Sequence, residues 1–429
     1  MSADTIFALS SGSPPAGIAV IRVSGPAANE ALERLAGPLP EPRVATLRPV
    51  RHPQTRELLD HGLMLRFAGP ASATGEDVAE LHLHGGRSVV AAVLEALAAV
   101  RDLRPALPGE FTRRAFENGR IDLAEAEGLA DLLLAETQSQ RRAALALAGG
   151  ALSRRIATWQ RSLLGLAAEI EAVLDFSDEG EVGDHFPHGW NGRLADLIDE
   201  IEATLRNPPA ERLRDGVRVV IAGPPNSGKS SLLNFLVGRK AAITSPQAGT
   251  TRDLIETPVA LGGTPFIFVD TAGLRDSGDE IEAEGIDRAR ESIDTADIVL
   301  WLGDPQDLPA PNRCILVASK SDLREDKDLG SADIKVSSVT GHGMQMLVQL
   351  LAGRATTLLP QEGEVAINRR HRDALKSCNE QLRLAAAADD MIIAAELLRR
   401  ARASLDQITG SAGVENMLDA LFGSFCIGK

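Results

Sequence analysis

Gly223-Pro224-Pro225-Asn226-Ser227-Gly228-Lys229-Ser230 fits the pattern GxxxxGK[ST], and its surroundings give that pattern its meaning. The apolar run Val217–Ala222 leads into it and a helical run, Ser231–Leu236, leads out. This is the strand, loop and helix context in which such loops cradle phosphate. Glycines let backbone N–H groups wrap phosphate oxygens, and the following helix adds the partial positive charge of its N-terminus. Lys229 is placed to reach the β- and γ-phosphates, Ser230 to ligate Mg2+, and Asn226, Ser227, Gly228 and Ser231 to complete the loop.

Working outward, three more elements stand at the ends of apolar runs and a fourth lies between two of them. Asp270-Thr271-Ala272-Gly273 closes the run Pro265–Val269, where an Asp can hold Mg2+ through water and a Gly N–H can sense a γ-phosphate. Gly249-Thr250-Thr251-Arg252-Asp253 lies between and offers a second hydroxyl to Mg2+. Ser319-Lys320-Ser321-Asp322 follows Cys314–Ala318, and Ser337-Ser338 follows Ile334–Ser337. Asp322 can accept two hydrogen bonds from the N1 and N2 edge of guanine, which adenine does not offer. Guanine sites usually read Asn-Lys-x-Asp; Ser319 stands at the Asn position, which predicts a less well braced loop and weaker nucleotide affinity. With Ile298–Leu302, these runs alternate with helices and predict a doubly wound parallel sheet over 216–354. The interval Gly303–Arg313 holds three prolines. It is too short for the usual crossover helix and reads as a loop.

The flanks differ in texture. Residues 1–118 read as mixed α/β, with strands at Gly17–Ser24, Gly62–Phe67 and Ala79–His84 and a helix at Ala91–Val100; Pro38, Pro40, Pro42, Pro49, Pro53, Pro105 and Pro108 punctuate its loops. Residues 119–215 are helical: Leu123, Ala126, Leu129, Ala130 and Leu133 recur at i, i+3, i+4 spacing, and the texture continues through Ala143–Leu147, Trp159–Val173 and Leu194–Leu205. Asp178–Trp190 interrupts it as a loop. Helices return over 355–429, at Ala366–Ala388 and Met391–Thr409. The sheet domain is therefore inserted into a helical region whose halves should pack together.

Composition sets outer bounds. With 44% hydrophobic residues, 3% aromatic and no tyrosine, the cores must be aliphatic. No run approaches the roughly 18 apolar residues of a spanning helix, and Met1–Ala8 lacks the basic stretch of a signal peptide. Cys314, Cys378 and Cys426 are widely spaced and read as reduced thiols. The expectation is a cytoplasmic protein off the membrane. The net charge of −15 argues against broad nucleic-acid binding through a basic face. The last segment carries 9 basic and 10 acidic side chains, unlike the basic RNA-binding tail of a ribosome-assembly switch.

Beyond the phosphate and guanine elements, Asp4–Ile6 (DTI), Ile21–Gly25 (IRVSG), Gly75–Asp77 (GED), His84–Gly86 (HGG), Pro108–Phe116 (PGEFTRRAF), Asn118–Leu123 (NGRIDL), Asp270–Leu274 (DTAGL) and the ending Phe425-Cys426-Ile427-Gly428-Lys429 carry a family resemblance. Over essentially its whole length the chain resembles the tRNA-modification GTPase MnmE (TrmE) family. The resemblance implies a multidomain α/β and α protein: an α+β folate-binding and dimerising domain, then a helical domain in two segments into which the G domain is inserted. It implies a homodimer and an FAD protein, MnmG, as partner in a heterotetramer. The implied work is GTP hydrolysis coupled to adding an aminomethyl-type group at C5 of the wobble uridine of certain tRNAs. The one-carbon unit comes from a 5-formyltetrahydrofolate-type cofactor.

Residue by residue, it implies folate contacts at Arg22, Glu80, Arg120 (where lysine is commoner) and Lys429. It implies Mg2+ ligands at Ser230 and Thr251, and K+ in the role of an arginine finger at Asn226, Ser245, Gln247 and Thr250. Glu282 is implied as the residue that orients the attacking water; by sequence alone its charged stretch reads as a solvated face. Cys426 is open between a small buried hydrophobe and a nucleophile in the modification step. His82 and His84 read as one face of a short strand rather than a metal pair. Ser319 also leaves room for a folate-binding protein with a degenerate G domain.

Overall fold

The computed structural model describes residues 4–176, 185–238, 256–270, 290–309, 311–323, 332–361, 363–410, 415–423, 425 and 427–428. Two compact units divide the chain, one formed by Met1–Ala130 with Asp406–Lys429, the other by Asp131–Leu405.

The first unit is built on a six-stranded sheet of order β3-β4-β5-β2-β1-β6, with strands β1 (Thr5–Leu9), β2 (Ala16–Ser24), β3 (Thr46–Arg51), β4 (Leu58–Phe67), β5 (Val78–Gly85) and β6 (Leu103–Pro105). Only β1 and β6 run parallel; the other pairs are antiparallel. Side chains alternate across the pleat. In β2, Ile21 and Val23 pack in one core cluster with helices Ala28–Ala36 and Arg87–Ala98, and Ala19 is buried on the same face, while Ile18, Val20 and Arg22 face the other way. Sequence reading places β2, β4 and β5 but misses β1, β3 and β6. In β3, Pro49 reads as loop punctuation. Yet β3 is an edge strand paired only with β4, where a missing N–H costs nothing to the ladder.

Two features close this unit. Arg114, 3% exposed, lies among carboxylates: Nη2 donates to Asp4 Oδ1 (2.9 Å) and Glu110 Oε1 (3.0 Å), and Nη1 lies 3.2 Å from both Glu76 oxygens. Arg104 adds bonds to Asp4 and Glu110. The chain end returns to the sheet: Ile427 bridges Pro108, and Ser10 Oγ donates to the Gly428 carbonyl at 2.8 Å. At Gly428 φ is +97°, and a Cβ would collide with the Leu9 carbonyl, so only glycine fits.

The second unit contains a sheet of order β12-β11-β10-β7-β9-β8, with β7 (Val217–Ala222), β8 (Glu256–Leu261), β9 (Thr264–Asp270), β10 (Ile298–Trp301), β11 (Cys314–Ala318) and β12 (Ile334–Lys335). All pairs are parallel except β8 with β9. The expected parallel sheet thus carries one antiparallel edge strand, β8. Pro258 in β8 hides it from a sequence reading in the same way as Pro49 hides β3. Both faces of β7 are covered: Val217, Val219 and Ile221 pack with Leu232 and Leu236, and Val220 and Ala222 with Val269 and Val299. The β10–β11 connection has one short 3-10 turn, Pro305–Asp307, among its described residues, in keeping with the prolines there.

The helices of this unit include Gln138–Ala148, Ala151–Phe176, Trp190–Arg206 and Arg369–Ala386. Tryptophans supply the few aromatic anchors: Trp159 Nε1 donates to Glu200 (2.9 Å) and Trp190 Nε1 to the Leu166 carbonyl (3.0 Å). Arg372 donates to the Asn207 carbonyl (2.8 Å) and Asn379 to Glu202 (3.0 Å), so the helical segment after the sheet packs on the one before it. Among the described residues, no helix is long and apolar enough to cross a membrane.

Candidate functional site

Parallel strands deliver their C-terminal ends to one edge of a sheet, and ligands bind there. Strand β7 ends at Ala222, directly before Gly223; β11 ends at Ala318, before Ser319; β12 ends at Lys335, shortly before Ser337. These loops line one cavity, with Gly228 and Ser231 from the first, Ser319, Lys320 and Asp322 from the second, and Ser338 from the third. Leu232, Leu323, Val336 and Val339 complete its walls. The apolar residues are absent from the sequence reading, because they belong to no motif and become neighbours only through the sheet order.

The phosphate loop is shaped by its backbone. Asn226 is left-handed at φ +59°, and Gly228 at φ +97° lies where a Cβ would stand 3.5 Å from Ser319 Oγ. Lys229, 7% exposed, starts the helix Lys229–Gly238 and folds its ammonium back onto the carbonyls of Gly223 (3.1 Å) and Pro224 (2.9 Å). Ser227 Oγ is buried and has no hydrogen-bond partner among the described residues. A buried hydroxyl without a partner costs about 1–3 kcal/mol. A phosphate oxygen would remove that cost, so the loop fits the group its motif implies.

Ser319 does not behave as its departure from asparagine suggests. Its hydroxyl donates to the Ser227 carbonyl, so the bracing of one loop on the other is kept. Lys320, at φ +56°, adds a second tie from Nζ to the Asn226 carbonyl at 2.7 Å. Ser337 is buried, and its hydroxyl accepts from the N–H groups of Val339 (3.3 Å) and Thr340 (3.1 Å), which turns the chain past Ser338. Asp270 ends β9 opposite Ile221. Ser245, Gln247, Gly249, Thr250, Thr251, Thr271, Ala272, Gly273 and Glu282 lie outside the described residues.

A second constellation sits on the first unit's sheet. Arg22 and Glu80 are directly opposed in the β2–β5 register, and Arg22 donates to Glu80 Oε1 from Nε (3.0 Å) and Nη2 (2.9 Å). His82 Nε2 lies 3.1 Å from the other Glu80 oxygen, and the Phe111 ring lies 5.7 Å from the Arg22 guanidinium. Sequence reading puts His82 on a strand face but links neither it nor Phe111 to the Arg22–Glu80 pair, although period-2 spacing puts His82 on the face of Glu80. His84 instead meets Asp60 at 2.8 Å, so each imidazole has its own carboxylate. Among the described residues, no group of three or more His, Cys, Asp or Glu could hold a metal.

Arg120 is placed by the loop before β5: its Nε donates to the Ser72 carbonyl (3.1 Å), beside the Asn118 bond to Thr74 (2.8 Å). Ser24, at the end of β2, bonds Thr74 and Glu76 of the same loop, both at 2.7 Å. Cys426 and Lys429 lie outside the described residues, though Ile427 and Gly428 between them are fixed as above.

Two family models match the chain, one described as the MnmE helical domain over residues 123–426, the other as the GTP-binding protein TrmE N-terminus over residues 5–120. Among curated relatives, the tRNA modification GTPase MnmE of Rhizorhabdus wittichii is 58% identical over 431 residues, covering 100% of this chain and 97% of the relative. The proteins of the same description from Erythrobacter litoralis and Novosphingobium aromaticivorans are each 52% identical, covering 99% of this chain and 100% of the relative.

Proposed function

The chain belongs to the MnmE (TrmE) family of tRNA modification GTPases, and on that premise we propose a K+-stimulated GTP hydrolase working with an FAD-containing, MnmG-like partner. Its target is C5 of the wobble uridine of certain tRNAs, which receives an aminomethyl or carboxymethylaminomethyl group. GTP hydrolysis in the service of tRNA modification is the activity of the family, with tRNA as substrate. The finer assignments are this chain's own residues.

One observation carries the nucleotide reading. Asp322 and the buried Ser227 hydroxyl, which has no partner among the described residues, stand on two loops tied together by Ser319 at the C-terminal ends of parallel strands of one sheet. Asp322 accepts from the guanine N1 and N2 edge. The backbone of 223–228, Lys229 and Ser227 take the phosphates, with Ser231, Ser337 and Ser338 completing the pocket. Asp270 to Gly273 and Gly249 to Thr251 flank the γ-phosphate side. Ser230 and Thr251 would hold Mg2+; Asn226, Ser245, Gln247 and Thr250 would hold K+. Bound there, the cations supply positive charge against the β- and γ-phosphates. Glu282 orients the attacking water.

In the first unit, Arg22, Glu80, Arg120 and Lys429 hold a 5-formyltetrahydrofolate-type cofactor. Glu80 is a partly buried acceptor suited to the amino edge of a pterin, and Phe111 offers a flat apolar neighbour. Folate, when bound, supplies the one-carbon unit. Cys426 is assigned to the modification step, since substitution at C5 of a uracil generally requires a nucleophile at C6. The domains are 1–118 for folate and dimerisation, 119–215 with 355–429 for the helical domain, and 216–354 for the G domain, in a cytoplasmic homodimer that joins its partner as a heterotetramer. GTP turnover in K+ and in Na+, with the wobble-uridine content of cells lacking the chain, tests this reading. Equal rates in the two cations would remove the K+ mechanism, and unchanged uridines would remove the tRNA role.

A further inference from the structure

The Ser319 hydroxyl has one hydrogen, and it is committed to the Ser227 carbonyl. The residue is 8% exposed and lines the cavity beside Gly228, Lys320 and Asp322. A hydroxyl that has donated its hydrogen can meet a ligand only as an acceptor. The N7 and O6 edge of guanine carries only acceptors. The two cannot bond, and drawing N7 close to that oxygen would be repulsive. An asparagine at the same position has two amide hydrogens, enough to brace the phosphate loop and also to meet N7.

We propose that Ser319 is a specificity-determining residue: it preserves the brace between the two loops but gives up readout of N7, so the site accepts guanine nucleotides altered at N7 as readily as the unaltered ones. Selection of guanine then rests on Asp322 and the other edge of the base. The inference rests on the reading of this cavity as the guanine pocket.

The experiment is a competition titration of the full chain with GDP, 7-deaza-GDP (which lacks the N7 acceptor) and ADP. The wild-type chain should bind GDP and 7-deaza-GDP within twofold of each other and both far more tightly than ADP. Ser319→Asn should restore a preference for GDP of about threefold to tenfold, the worth of one neutral hydrogen bond. Ser319→Ala removes the brace and should weaken both guanine nucleotides by the same factor, leaving their ratio unchanged. A wild-type preference for GDP of threefold or more overturns the inference, as does a ratio in Ser319→Asn equal to that of wild type. Equal binding of ADP and GDP would overturn the guanine-pocket reading itself, and this inference with it.

Discussion

Arg114→Met deletes one cation from a buried cluster while keeping most of the side-chain volume. In the native chain this guanidinium is 3% exposed and faces Glu76 and Glu110, themselves 15% and 10% exposed, with Asp4 at 37%. Breaking a buried pair from one side costs about 3–5 kcal/mol. The lower end applies here, because Glu110 keeps Arg104 and the Leu107 N–H (2.8 Å), and Asp4 is too exposed to count. Glu76 bears most of the loss, keeping the Ser24 hydroxyl at 2.7 Å. We expect a destabilisation of about 3 kcal/mol, confined to the first unit. Two probes separate the units in denaturant. All three tryptophans (Trp159, Trp190, Trp301) lie in the second unit and the chain has no tyrosine, so tryptophan fluorescence reports that unit alone. Far-UV circular dichroism reports both. Arg114→Met should lower the midpoint of the transition seen only by circular dichroism.

The pH dependence has a definite sign. Burial would raise the Glu110 pKa, but hydrogen bonds from Arg104, the Leu107 N–H and Arg114 outweigh it and hold the carboxyl low. A depressed carboxyl contributes stability above its unfolded pKa, about 4.3. That contribution is lost as pH falls through the folded value. The gap between wild type and Arg114→Met should therefore narrow as the solution is acidified below that range. A cost below about 1 kcal/mol, as for an exposed ion pair, or a shift in the tryptophan transition would refute the reasoning.

Glu282→Ala should lower K+-stimulated GTP turnover sharply with nearly unchanged nucleotide affinity, because a water-orienting group acts mainly in the transition state; weakened GTP binding would place it elsewhere. Cys426→Ser should abolish the modified wobble uridine while GTP turnover stays near normal, and retained modification would make Cys426 a packing residue. Burial pushes the Cys378 thiol up to about 12, and Cys314 is also buried. Mass spectrometry after brief alkylation of the native chain should therefore find both unlabelled, and labelling of Cys378 before unfolding would contradict its place in the core.

The parallel strands of the second unit's sheet were legible because strands buried on both faces are continuous apolar runs, and the runs ending at Ala222, Val269 and Ala318 lead directly into motifs. The runs at Val217–Ala222 and Cys314–Ala318 appear with those bounds as β7 and β11. Edge strands were not legible: β3 and β8 hold Pro49 and Pro258, which signal loops unless the pairing is known. In the candidate site the motifs pointed to loops that the fold does bring together: Asp322 lines the same cavity as Gly228, and Lys229 begins the helix that follows the phosphate loop. The loss of bracing expected at Ser319 does not occur, because its shorter side chain still reaches the Ser227 carbonyl where the two loops approach closely. No spacing rule joins positions 92 apart in the chain. Phe111 beside Arg22 escaped for the same reason.

The most direct test of the guanine-nucleotide assignment is base selectivity at Asp322. Competition binding of GDP and XDP should show wild type preferring GDP and Asp322→Asn preferring XDP, since an amide can donate to the xanthine O2 where a carboxylate only accepts. Each hydrogen bond to the charged group contributes on the order of 1.5–3 kcal/mol, so losing two should weaken GDP binding by about a hundredfold or more. Undiminished GDP affinity in Asp322→Asn would contradict the account.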